Sequence, residues 1–276
     1  MVARLQDPTG AATSYVTVGS AAGHRVFPST DECDRFLAHL ETVRVVFESR
    51  IYAYALTPTA LHLIIRHEEA AADSDAALVD RWARLSSRSS PTPGRLRARL
   101  SSLGGLMQTL LQRYSRDRNR RHGLRGRMWA SRFRSTFIAD DRAVLAAITW
   151  LEESAPELGA LSCSRHARAA GRVLPTLAAP PLRIGPDEFL FPADESPPGC
   201  APPLAPHHVG YLRRFAATIS ADARIAYGRA LTSGWALGRP ESLGAVLQRL
   251  ARDHGRGRIR RLRELDDELG LCGVWG

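Results

Sequence analysis

The change of hydrophobic period near Ser49 constrains this chain more than any other feature. From Thr30 to Ser49 the apolar residues Phe36, Leu37, Leu40, Val43 and Phe47 recur every three or four positions after a Thr-Asp-Glu start. That spacing is one buried stripe of an amphipathic helix. At Arg50 the period becomes two. Arg50 to Leu56 (RIYAYAL) and Ala60 to Arg66 (ALHLIIR), separated by TPT, predict two strands joined by a tight turn.

The flanking segments extend the alternation. Ser14 to Val18 (SYVTV) reads as a strand followed by the turn GSAAGH, and Phe133 to Ile138 (FRSTFI) as a further strand. A short helix is expected around Ala76 to Leu85, and a long one from Arg95 to Arg121, interrupted or restarted near Gly104 and Gly105. Asp140 to Glu153 is a helix with Val144, Leu145, Ile148 and Leu151 on one face. This order predicts an α+β fold of the ferredoxin-like type, a small antiparallel sheet with helices on one face. It completes a first domain at residues 1–165. Residues 173–206 hold most of the seventeen prolines and read as a linker. Residues 207–276 read as a small helical, basic C-terminal region. Its expected helices are 207–220, 222–233 and 241–253, in a helix-turn-helix-like arrangement.

The charge is unevenly placed. All 38 basic residues are arginine, which with the Ala, Gly and Pro content points to a GC-rich genome rather than to function. The net charge of +10 is informative because of where it sits. Between Arg88 and Arg134 thirteen arginines face one acid, Asp117, so this segment carries +12 and the rest of the chain about −2. A second cluster, Arg249 to Arg263, has seven arginines against Asp253. Such clusters are the electrostatic footprint of a polyanion, since each neutralised phosphate releases counterions. A solvated helix face or a basic arm is the alternative.

Other classes receive no support. Cys33, Cys163, Cys200 and Cys272 are far apart and form no C-x-x-C, so neither a zinc knuckle nor a disulfide framework is indicated. The opening MVARLQDPTG lacks a basic stretch followed by an apolar run, and no apolar stretch approaches the roughly 20 residues that span a bilayer. A cytoplasmic protein without membrane contact is expected.

Four segments together resemble the REP-associated tyrosine transposases, single-tyrosine members of the HUH class related to insertion sequence two hundred. They are the Tyr15 strand, YALTPTALHLII (54–65), LMQTLLQRYSRDRNRRHG (106–123) and GRMWASRFRS (126–135). The last two are the most specific. In that family two histidines flank one apolar residue on a strand, so both imidazoles point to one face and hold a divalent cation, Mg²⁺ or Mn²⁺, that polarises the scissile phosphate. A helix-borne tyrosine then attacks the phosphorus, giving a 5′-phosphotyrosine and a free 3′-hydroxyl.

The resemblance places the nucleophile at Tyr114 and the second histidine at His62, while the first histidine position holds Ala60. Half of the metal pair is absent, and Thr57 and Thr59 replace the usual Met and Asn. His67, an odd number of residues from His62, faces the other side of a continuous strand, and Glu68 lies about 20 Å along it at ~3.3 Å per residue. Asn119 and His122 lie one to two turns beyond Tyr114, where a third ligand could arise.

Plain packing competes with each assignment. His62 between Leu61 and Leu63 suits a buried, hydrogen-bonded histidine. Tyr114 continues a stripe with Leu103, Met107 and Leu110. Trp129 suits either sheet packing or base stacking. The resulting expectation is a transposase-related protein that binds hairpin or single-stranded DNA without efficient cleavage, with no metal required. The DNA-contacting set is Arg113, Arg116, Arg118, Arg120, Arg121, Arg125, Arg127, Trp129, Arg132, Arg134, Arg258, Arg260 and Arg261. The alternatives are a metal-dependent nickase and strand transferase using Tyr114, and an RNA-binding module on the same sheet. The family likeness also implies a homodimer. On this reading Ala60→His would rebuild a metal pair for Tyr114.

Overall fold

The period-two segments pair as their patterns require. Strand β2 (Arg50–Thr57) and strand β3 (Ala60–His67) form the expected hairpin. Strand β1 (Ala12–Gly19) lies between β3 and β4 (Arg134–Ile138), antiparallel to both. The structure is a computed structural model. It describes residues 12–21, 24–68, 70, 73–85, 91–165, 215–254, 261–266 and 269–275.

Side chains alternate between two buried faces, as a period of two demands, except at the β-bulge between Ile51 and Ala53, where Tyr52 and Ala53 share a face. Val16, Val18, Leu61, Leu63 and Ile65 enter one core with α1 (Thr30–Phe47), α2 (Asp75–Ala83), α3 (Pro93–Leu100) and α4 (Leu103–His122). Tyr15, Tyr52, Ala53, Ala55 and Ile64 enter a second core with α5 (Asp141–Ser154) and α6 (Ala221–Ser233). The expected class, α+β on an antiparallel-dominated sheet, is observed. The helices, however, cover both faces rather than one. The reason lies in the strands: with both faces of β2 and β3 apolar, one helical layer would leave half of the sheet exposed.

The C-terminal region also differs from expectation, because it is mixed rather than helical. Between α6 and α7 (Pro240–His254) lies β6 (Ala236–Gly238), which pairs in parallel with β4. Then β7 (Arg261–Asp266) and β8 (Leu271–Trp275) form a hairpin on β6. With β5 (Ser162–Cys163) beside β2, the sheet has eight strands in the order β5-β2-β3-β1-β4-β6-β8-β7. The strand between α6 and α7 excludes a helix-turn-helix. Gly228 of α6 packs so closely on α5 that a Cβ there would lie 2.5 Å from Trp150 Nε1. The 173–206 linker and the start of the 207–220 helix lie outside the described residues.

The helix break before α4 positions the basic segment. Ser102 caps α4 by accepting the Gly105 N–H at 2.9 Å, the usual way to satisfy a first-turn donor. Gly105 is needed because a Cβ would sit 2.1 Å from the Arg99 carbonyl oxygen. From there Leu106, Met107, Leu110 and Tyr114 run inward, each 0% exposed. Burial of each aliphatic side chain contributes about 1.5–3 kcal/mol. Gly123 ends the helix at φ 61°, in the left-handed region, with its N–H on Asn119 O. Among the described residues no helix is long and apolar enough to cross a membrane.

Candidate nucleic-acid interface

The residues implied by the transposase likeness separate into three places. His62 lies on the α5 face of the sheet. Its Nδ1 is joined to the Tyr15 hydroxyl by a hydrogen bond of 2.7 Å, and burial lowers its pKa to about 4. Ala60, two residues earlier, shares that face. Tyr114 lies in the opposite core, packed edge-on against Phe36 at 5.1 Å. The sheet itself therefore separates the expected nucleophile from the expected metal ligand.

Neither residue is set up for phosphoryl transfer. The Tyr114 hydroxyl sits 3.0 Å from both the Val26 carbonyl and Glu32 Oε2. Burial and the adjacent Glu32 carboxylate push its pKa well above the ordinary tyrosine value. A phenol with no exposed surface does not reach a phosphate, and Glu32, held by Arg121 and His122 with its pKa brought down to about 2, is too weak a base to activate it. On the other face the donor set is one neutral imidazole bonded to a tyrosine. This does not fit a hard divalent cation, which needs several oxygen ligands. No group of three or more His, Cys, Asp or Glu side chains able to hold a metal occurs among the described residues.

The second place is a buried charge cluster around Glu32, which the sequence showed only as part of a helix start. Glu32 stands at the third position of α1, where a capping glutamate would reach back to its own N-terminus. It points instead to the end of α4. Arg121 donates to both of its oxygens, at 2.5 and 3.2 Å, and His122 Nε2 lies 3.2 Å from Oε1. Arg118 Nε is 3.7 Å from Oε2, while Arg118 Nη2 donates to the Arg25 carbonyl. Burial alone would raise the Glu32 pKa, but hydrogen bonds from Arg121, His122 and Tyr114 outweigh it and bring it to about 2. Arg118 and Arg121 are thus held inside the protein. Arg113 is held as well, donating to the Leu85 carbonyl at 2.6 Å. These three arginines, expected to contact DNA, have internal partners instead.

The third place is a groove of about 1100 Å³ along the outer side of α4. One wall is α4, whose outward positions carry Gln108, Gln112, Arg116 and Asn119; the other is the segment from Gly126 to Phe133. Trp129 pins that segment down: its indole N–H donates to Ser115 Oγ at 2.9 Å, and its backbone bridges to Ser20. At 8% exposure Trp129 acts mainly as a packing residue on the groove wall. Arg116, Arg127 and Arg132 line the groove, are exposed, and have no ion pair among the described residues. Among the described residues no Asp or Glu lines it.

The remaining arginines lie elsewhere. Arg125 is exposed beside the groove. Arg120 is 81% exposed and pairs with Asp117 at the surface. Arg134 opens β4 opposite Thr17 and is not among the residues that line the groove. Arg261 opens β7, while Arg258 and Arg260 lie outside the described residues. Asn119 donates to the Gly126 carbonyl at 3.4 Å, a long bond that links the two walls. Sequence reasoning missed Gln108 and Gln112. Their spacing of four, opposite the stripe of Leu103, Met107, Leu110 and Tyr114, was the available signal.

No family model matches the chain, and no curated protein does. Among solved structures, a REP-associated tyrosine transposase bound to a REP hairpin matches with a TM-score of 0.38 and 14% identity. That match covers 62% of this chain and 86% of the other.

Proposed function

We propose that this protein binds hairpin or single-stranded DNA in the groove between α4 and the 126–133 segment, and that it does not cleave it. The observation that carries the reading is the convergence of Arg116, Arg127 and Arg132, free of acidic partners, on one cleft. Unpaired guanidinium groups on two facing walls suit a phosphate backbone running between them. The most family-like segments, 106–123 and 126–135, supply these two walls, which supports descent from a single-tyrosine transposase. Burial of Tyr114 opposite His62 favours binding over strand transfer. The second arginine cluster, 249–263, would act as an auxiliary contact.

Photo-crosslinking of a halogenated single-stranded or hairpin oligonucleotide, read by peptide mass spectrometry, tests the location. Crosslinks within 105–133 are expected, and crosslinks confined to 249–263 would refute the groove. The same measurement with an RNA strand distinguishes the RNA-binding reading, which requires the RNA to crosslink in preference to DNA. A suicide single-stranded substrate in Mn²⁺ tests the chemistry: no covalent tyrosyl adduct is expected, and an adduct that depends on Tyr114 would overturn the non-cleaving assignment.

A further inference from the structure

The groove holds more than positive charge. Gln108 and Gln112 stand one turn apart on the outward side of α4, and Arg116 follows one turn later. Both glutamines are exposed, and among the described residues neither carboxamide has a hydrogen-bond partner. A carboxamide cannot neutralise phosphate. It offers a donor beside an acceptor, which matches a base edge presenting the same pair in reverse. The phosphate contacts fall instead to Arg127 and Arg132, on the other side of the groove, and to Arg116 at the end of the glutamine row.

Spacing and stacking decide what kind of strand fits. Four residues of α-helix separate the two amides by about 6 Å along the axis, whereas stacked neighbours rise about 3.4 Å. Two successive bases can each meet one glutamine only in a strand pulled out of its stack. Phe133, half-buried and packed against the core, lines the same groove, and bases splayed out of a single strand are the ones whose faces can meet such an apolar wall. Glutamine pairs best with adenine, whose N6 donates and N7 accepts.

The geometry points to Gln108 and Gln112 as readers of two successive unpaired bases, with adenine favoured at each. This rests on the nucleic-acid reading above and adds base preference to it. The probe is a twelve-residue thymine strand whose central pair is AA, CC or GG, measured by fluorescence anisotropy on the full chain. Wild-type protein should bind the AA strand at least about tenfold more tightly than the CC strand. The Gln108→Ala, Gln112→Ala variant, altered only at exposed positions, should bind both strands with one affinity, near that of wild type for CC. A wild-type protein that binds all strands equally, or a variant that keeps the AA preference, overturns this inference and leaves groove binding intact. A protein that binds none of the strands at low salt overturns groove binding itself.

Discussion

Replacing Glu32 with Gln should destabilise the protein in a pH-dependent way, and the size of the effect follows from the cluster at the end of α4. The variant keeps the side-chain shape but removes the negative charge facing Arg121, His122 and Arg118. The Glu32 pKa falls from an ordinary 4.5 to about 2. That difference corresponds to about 3 kcal/mol of charge-dependent stability. The Arg121 and His122 side chains are 24% and 45% exposed, so solvent screening lowers the expected figure to about 2 kcal/mol. For a depressed carboxyl pKa, the contribution is fully present above 4.5 and lost as pH falls through about 2. Urea unfolding of both proteins at fixed pH values from 7 to 2 measures it. The stability gap should hold near 2 kcal/mol down to about pH 5 and close by about pH 2, with a melting temperature lower by about 4–8 °C at pH 7. A gap that stays constant across this range would refute the electrostatic account and leave only shape or packing as the cause.

Three further outcomes follow from the two-faced sheet. Tyr114→Phe removes a hydroxyl bonded to a buried carboxylate and should cost about 1.5–3 kcal/mol in urea unfolding, with DNA affinity unchanged in anisotropy. Ala60→His should give no Tyr114-dependent adduct in Mn²⁺, because position 60 shares the His62 face and Tyr114 lies across the sheet; an adduct abolished by Tyr114→Phe would contradict that separation. Truncation after residue 165 removes β6, the partner of β4, and α6, the cover of α5. Circular dichroism melts of the 1–165 fragment should then lack the full chain's cooperative transition. A fragment melting like the full chain would show that the C-terminal strands are dispensable.

Much of the fold was legible because β1, β3, β4, α1 and α5 each carry an unbroken period, and β2 one interrupted only by the bulge between Ile51 and Ala53. The three-residue β6 is too short to show one, and the alternation of RLRELD in β7 falls within a basic run of the C-terminal region expected to be helical. The two-face covering was encoded in Tyr15, Tyr52 and Ile64 on one side and Val16, Leu61 and Leu63 on the other, but sequence alone does not say which helix meets which side. That gap governs the site: His62 could be placed on a strand face and Tyr114 on a helix stripe, yet whether the two meet depends on which face α4 covers. The arginines show the same limit. Counting charge located the basic segment, but Glu32, 90 residues before His122 at the end of α4, decides which guanidinium groups are held internally. Arg118 and Arg121 are held there, and Arg116, Arg127 and Arg132 are left to face the groove.

Those three arginines hold the DNA backbone if groove binding is correct. The most direct measurement is the salt dependence of binding to a single-stranded oligonucleotide, wild type against the triple variant Arg116→Gln, Arg127→Gln, Arg132→Gln. Taking one guanidinium away from a phosphate should lower the slope of log affinity against log salt by about 0.7 on a single strand. The variant slope should therefore be shallower by about 2, while Arg121→Gln, in the Glu32 cluster, should leave it unchanged. An unchanged slope in the triple variant, with wild-type affinity, would show that DNA binds elsewhere on the protein.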